Sequence, residues 1–215
     1  MKKFFLTVAC ILFAVPVFAQ IQPKDFSLGF HVSGSMPLGD SRDFSAAGVG
    51  GGLDVEYIVD DKIQPFPDKF KFGFSFDTAY KYSFIKEGKP ISALHDISTE
   101  LGFFMRLPIV DKGKFKLAFS PELGYGLVFH VPVAVDGAEL KGLYVNQMLS
   151  VSPSFRFILP KDLEINVAPM YRIAFEPSDT QHEVALKLGL MWHISDFLAD
   201  RRKTSTSPAP VSIEE

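Results

Sequence analysis

Cysteine is almost missing from this sequence. The single one, Cys10, lies in the first twenty residues of a 215-residue chain. With that stretch removed, no disulfide, thiolate metal site or cysteine nucleophile remains. An excess of positive charge is missing too. The formal charge is −3, and losing Lys2 and Lys3 takes it to −5 (−3 − 2). That balance offers no electrostatic footprint for nucleic acid. Beyond the first twenty residues no apolar run approaches the ~20 residues of a membrane-spanning helix. No long stretch places apolar residues at helical spacing.

What is present begins with "MKKFFLTVACILFAVPVFAQ". Two lysines form a charged start, an apolar stretch runs from Phe4 to Phe18, and the small residues Val17 and Ala19 suit cleavage. This reads as a secretory signal peptide over 1–19, with Gln20 opening the mature chain. Pro16 interrupts the stretch and argues against an anchor. Thr7 stands where lipoprotein processing at Cys10 would favour leucine. The mature length suits one domain, 20–195. The remainder, 196–215, carries "DRRKTSTSPAPVSIEE". It is polar, rich in Ser, Thr and Pro, and expected to be disordered.

Between these ends apolar and polar residues alternate with period two. Strands are expected near 25–36, 49–59, 70–84, 95–107, 114–131, 143–159, 163–175 and 183–194. One face of each is apolar, as in Phe70, Phe72, Phe74 and Phe76, or Val184, Leu186, Leu188 and Leu190. The other face mixes Gly, Ala and Ser with charges. Its acids are Asp54, Glu56, Asp77, Glu100, Glu122, Glu164 and Glu183. Its bases are Lys71, Lys81, Arg106, Lys116, Arg156, Arg172 and Lys187.

Alternation alone does not say which face is inside. A soluble barrel would turn the apolar face inward around a ligand. A membrane barrel would turn it outward to lipid and fill its lumen with polar groups. Volume decides between them. Eight strands enclose room only for their own side chains or one small ligand. The Phe, Tyr and Trp of the apolar face would overfill that space, whereas Gly, Ala and Ser between paired charges fit it. The expectation is an all-β, eight-stranded, antiparallel up-and-down transmembrane barrel. Seven acids facing seven bases close its lumen as a polar network.

The connections "PIVDKGK" and "LPKD" are short, those around 37–48, 85–94 and 132–142 are longer, and the two kinds alternate, with "VDDKIQPFPDK" alone long on the short-loop side. An even strand count puts both termini on one side and the longer loops on the other. With its signal peptide, eight alternating segments and closing "VALKLGLMWHI", the chain resembles over 25–194 the small outer-membrane barrels of the OmpA/OmpX/OmpW-like group. The resemblance implies a monomer in the bacterial outer membrane. Its partners would be outer-membrane lipid, the outer-membrane assembly machinery, and an extracellular ligand or host surface met by the loops. No nucleic acid and no cofactor are expected. The tail 196–215 would be periplasmic, which makes the C-terminal assembly signal internal.

Chemical motifs are few. His31, Ser33 and Ser35 share one polar face, as an esterase pair would, but nothing fixes a third partner. The five histidines lack metal-ligand spacing, although His31 and His193 could meet where the first and last strands pair. "GVGGG" at Gly48–Gly52 is followed by neither a Lys-Ser/Thr pair nor a helix, so it reads as a strand start beside bulky lumen residues. No catalytic or metal-binding residue is assigned, and the protein is expected not to be an enzyme.

Three prolines remain. A hairpin turn centred on Lys161 pairs 155 with 167 and brings Pro153 level with Pro169. Pro121 on the neighbouring strand falls at a similar height. Each lacks a ladder donor. They mark either bulges or a weakened seam in the wall. The resemblance implies, for a seam, a carrier that gives small hydrophobic molecules lateral access to the membrane, or a membrane-embedded lipid-modifying enzyme. These are the alternatives to a non-enzymatic surface protein.

Overall fold

The computed structural model describes residues 26–59, 70–112, 115–135, 142–160, 163–176 and 180–194. The expected signal peptide, 1–19, and the expected disordered tail, 196–215, lie outside the described residues, as does most of the 132–142 connection.

Eight strands follow one another: β1 (Phe26–Leu38), β2 (Ser45–Ile58), β3 (Lys71–Ile85), β4 (Ile91–Lys112), β5 (Phe115–Ala134), β6 (Tyr144–Ile158), β7 (Leu163–Phe175) and β8 (Thr180–His193). Each is antiparallel to its neighbours in sequence, and β1 closes on β8 with Leu28 opposite Trp192 and Met36 opposite Val184. β-branched and aromatic residues at every second position favour this pleated geometry. Closure leaves no edge strand, which a wall in lipid requires.

The faces are sorted as a membrane barrel needs. Facing inward and buried are 22 polar or charged residues against nine apolar ones, while Leu28, Phe74, Leu101, Leu123 and Trp192 are among the large apolar side chains left exposed outside. A soluble barrel would show the reverse, so the ligand-carrying alternative is excluded. At one end, Gly39 (φ 59°) opens a 3-10 helix, Gly39–Asp43, and Gly88 (φ 79°) turns β3 into β4. Both occupy the left-handed region that glycine enters without steric cost.

Several strands are longer than the alternation indicated, and the connections beside them correspondingly shorter. β2 starts at Ser45 rather than 49, β4 runs from Ile91 to Lys112 rather than over 95–107, and β8 starts at Thr180 rather than 183. Bulges lie between Ser45 and Ala47, between Ile91 and Ala93, and between Pro108 and Val110. An extra residue flips the apolar parity, so the period-two signal ends where the strand does not. The connections 37–48 and 85–94 therefore shrink to 39–44 and 86–90. The longest connection, 59–70, lies at the end that carries the termini.

Candidate functional site

The lumen holds charges in three clusters, each built from inward positions on facing strands. Lowest, Arg156 is fully buried and reaches Glu56 at 2.7 Å and Glu164 at 2.9 Å. Arg106 spans the same two carboxylates at 3.3 Å each. Both guanidinium groups lie over the ring of the inward Phe104, 5.2 and 5.9 Å from its centroid. His193 extends the cluster, 3.6 Å from Glu164 and 2.6 Å from Ser27 Oγ. In the middle, Lys187 bridges Asp54 and Asp77 at 2.9 and 3.1 Å, and His31 Nδ1 lies 2.8 Å from Asp54. Highest, Lys81 joins Asp96 to Glu183, Arg172 is 3.6 Å from Glu183, and His130 Nδ1 is 2.6 Å from Asp96.

Twelve of the fourteen charged residues read as luminal line this interior, and two do not. Lys71 and Lys116 have inward parity, but they stand at strand ends where the barrel opens. Lys71 is exposed, and the half-exposed Lys116 side chain pairs with Asp111 at 3.6 Å outside the enclosed section. Asp96 and His130 were missed, while His31 and His193 were placed on the polar side but left out of the charged set. The luminal count is thus eight acids against five Lys or Arg, with three histidines beside the acids, and not seven against seven. Glu100 and Glu122 have no base within ion-pair distance among the described residues. Glu100 accepts from Ser150 Oγ at 2.6 Å, and Glu122 accepts from Ser75 Oγ.

His31 does not meet His193. Its strand partner is Gly189, and His193 stands opposite Ser27. The ligand atoms of His31, Asp54 and Asp77 lie within 4.8 Å of one another. Lys187 already supplies a cation between the two aspartates, so the group fits an ammonium and not a metal ion. Gly52, within "GVGGG", gives His31 room: a Cβ there would stand 2.7 Å from His31 Cε1.

The three prolines stand in one row. Pro121 is directly opposite Pro153, and Pro169 is opposite Leu186. The β5–β6 ladder is continuous from Lys116↔Ile158 to His130↔Tyr144. On either side of this hairpin the pairing is interrupted at the proline level. Between β6 and β7 it stops at Val151↔Tyr171 and resumes at Phe155↔Val167. Between β4 and β5 it stops at Phe104↔Glu122 and resumes at Leu107↔Phe119. In an antiparallel ladder each N–H points to one neighbour only, so each proline removes a donor on one side. Serines lie behind the row. Ser152 Oγ donates to Pro169 O at 2.9 Å, and Ser154 Oγ to Ser120 O at 2.8 Å.

No protein-family model matches the chain, and no curated protein matches its sequence. Among solved structures it is similar to Neisserial surface protein A, with a TM-score of 0.50 at 8% identity over 79% of this chain and 97% of that one. The chain has the fold of the small outer-membrane β-barrels. Other similar structures are the outer membrane enzyme PagL (TM-score 0.44, 15% identity, 74% of this chain and 97% of that one) and the attachment invasion locus protein Ail of Yersinia pestis (0.45, 13%, 78% and 97%). A closed barrel with an apolar outer wall and a charged lumen is built for a bilayer, and this fold is that of outer-membrane proteins.

Proposed function

We propose that this barrel is a non-enzymatic surface protein of the bacterial outer membrane. In this reading its lumen is plugged, and it meets its surroundings with the strand tips and connections opposite the termini. The observation that carries the reading is Arg156, buried and held by Glu164 from the adjacent strand and by Glu56 from β2 across the lumen. A side chain so enclosed leaves no water path at its level. The barrel acts as a monomer. It is inserted by the assembly machinery, surrounded by outer-membrane lipid, and in contact with an extracellular ligand or host surface. Planar bilayers containing the purified protein are expected to show no stable conductance steps, and steady single-channel steps would overturn the plug. An epitope inserted between Glu87 and Gly88 is expected to be detected on intact cells. Detection only after permeabilisation would reverse the orientation.

The proline row supports a second reading, a carrier that passes small hydrophobic molecules sideways into the membrane. Two interruptions flank one intact hairpin at a single level, which is where a wall would part. Uptake of a small hydrophobic probe by cells bearing Pro121→Val, Pro153→Val and Pro169→Val together tests it. Loss of uptake with normal surface display supports the carrier, and unchanged uptake discards it. The lipid-enzyme reading has less support: among the described residues no hydrogen bond joins the His31 ring to Ser33 or Ser35, although Asp54 orients its Nδ1 as a triad acid would.

A further inference from the structure

At the end that carries the termini, the ends of β3, β4, β5 and β6 surround a cavity of about 380 Å³. That size lies within the ~300–1,000 Å³ of ligand pockets. Three cations from three strands line it, Lys71, Arg106 and Lys116, and among the described residues Asp111 is the only acid in the lining. Lys71 stands directly opposite Arg106 in the β3–β4 ladder, and like charges so placed repel. Arg106 meets Glu56 and Glu164 at 3.3 Å, but Arg156 holds the same two carboxylates more closely, at 2.7 and 2.9 Å. Lys71 has no acid within ion-pair distance among the described residues. Lys116 has only Asp111, at 3.6 Å, and both side chains are about half exposed, so their pairing contributes little. Around the cavity and the cluster behind it, Lys71, Arg106, Lys116 and Arg156 thus face Glu56, Glu164 and Asp111, and one positive charge is left over (4 − 3).

We infer that this mouth binds a phosphate group, carried by an anionic phospholipid or by a free phosphate ester. Three observations select that chemistry. The directly opposed Lys71 and Arg106 are relieved by an anion placed between them. Cations converging from three strands suit an anion with several acceptor oxygens, and phosphate accepts from lysine and arginine alike. The remaining wall is apolar, with Val110, Leu117 and Ile158 beside the cations, which suits the carbon skeleton attached to a phosphate. The outer wall bears on the source. Phe115 and Phe157 pair there with ring centroids 6.4 Å apart, and Ile109 and Phe115 are exposed. Aromatic residues at the end of an apolar band mark the level of the membrane surface. Lys116 follows Phe115 directly in the chain, so the cavity lies where lipid headgroups are within reach.

The test uses the full chain folded in a nonionic detergent, where both ends are accessible, so its outcome does not depend on the orientation or function proposed above. Native mass spectrometry during titration with phosphatidylglycerol or with glycerol 1-phosphate is expected to show one saturable site. Saturation by glycerol 1-phosphate as well as by the lipid would make the phosphate ester sufficient. Saturation by the lipid alone would make the phospholipid the source. Lys71→Gln combined with Lys116→Gln should weaken binding about fivefold or more, the scale of two partly exposed charge contacts. Lys86→Gln combined with Lys89→Gln removes the same charge at the other end and should leave binding unchanged. Neither pair of substitutions touches an ion pair of the enclosed lumen, and circular dichroism should match wild type. The inference is overturned if neither ligand saturates, if Lys71→Gln with Lys116→Gln binds as wild type does, or if the Lys86 and Lys89 variant loses as much. Equal binding of zwitterionic phosphatidylcholine would overturn it too, because the apolar wall alone would then account for the site.

Discussion

Glu56 and Glu122 are both glutamates facing the same narrow lumen, yet they have opposite surroundings. Glu56 is held by two guanidinium groups, and Glu122 by a serine hydroxyl. Neutralising one partner of a buried pair leaves the other charge without compensation, at about 3–5 kcal/mol. Glu56→Gln should lower stability in detergent by about that much. Glu122→Gln removes a charge that no base meets within ion-pair distance and keeps an acceptor for Ser75, so its effect should stay within about 1 kcal/mol. Denaturant titrations of the two variants check the contrast, and similar losses would contradict the assignment of partners. Outside, Leu101 lies at the middle of β4 and is two-thirds exposed. Leu101→Arg should cost about 2–4 kcal/mol in bilayers, measured by folding into vesicles, and Leu101→Phe should be tolerated. Parity along each strand made most luminal charges legible. Asp96 has the same parity as Glu100 and escaped because it stands at the very start of an expected strand beginning at 95, beyond the bulge between Ile91 and Ala93. His130 escaped, and His31 and His193 were left out of the charge balance, because a formal charge count leaves histidine neutral, while the ring nitrogens bind the same acids as the bases do.

At the scale of elements, all eight strands were legible in the sequence, and their ends were not wherever a bulge intervened. Extended connections at 37–48 and 85–94 were read from broken alternation around Ala46 and Ser92, where the structure has more strand and less loop. The mirror placement of Pro153 and Pro169 was legible from turn geometry. The direct opposition of Pro121 and Pro153 needed the β5–β6 register, which no turn motif in the 132–142 connection fixes. The row has a testable mechanical consequence. Valine supplies the absent N–H and suits an outward strand position. The triple variant Pro121→Val, Pro153→Val, Pro169→Val should therefore complete both interrupted ladders and raise the unfolding midpoint. Hydrogen exchange should slow around 104–107 and 119–122 on one side and 151–155 and 167–171 on the other. The middle of the β5–β6 pairing, which is already continuous, should change least. Equal slowing across the barrel would mean general stabilisation rather than repair of two gaps.

For the whole molecule, the proposed plug raises the question of what would keep the lumen shut. Exposed ion pairs weaken as salt rises, because the screening length falls from about 10 Å at 0.1 M to about 3 Å at 1 M. Pairs removed from water are screened much less. The lowest cluster belongs to the second kind, since Arg156 and Glu164 are fully buried and Phe104 and Met191 pack beside them. The interior at that level is filled by side-chain volume as well as by charge, as expected for eight strands. The barrel should therefore remain closed in planar bilayers at roughly 1 M salt as it does at roughly 0.1 M. Its unfolding midpoint in a nonionic detergent should move little between the two. The upper cluster is less enclosed, and its Lys81 and Glu183 side chains are partly exposed. Salt should thus loosen the upper end first, seen as faster hydrogen exchange near Lys81, Asp96 and Glu183 while exchange near Glu56 and Glu164 stays unchanged. Conductance appearing at high salt would mean that the plug is an ionic latch open to water. Conductance absent at both salts, with exchange rising only at the upper end, is the outcome expected of a lumen closed by packing and bound together by buried charge.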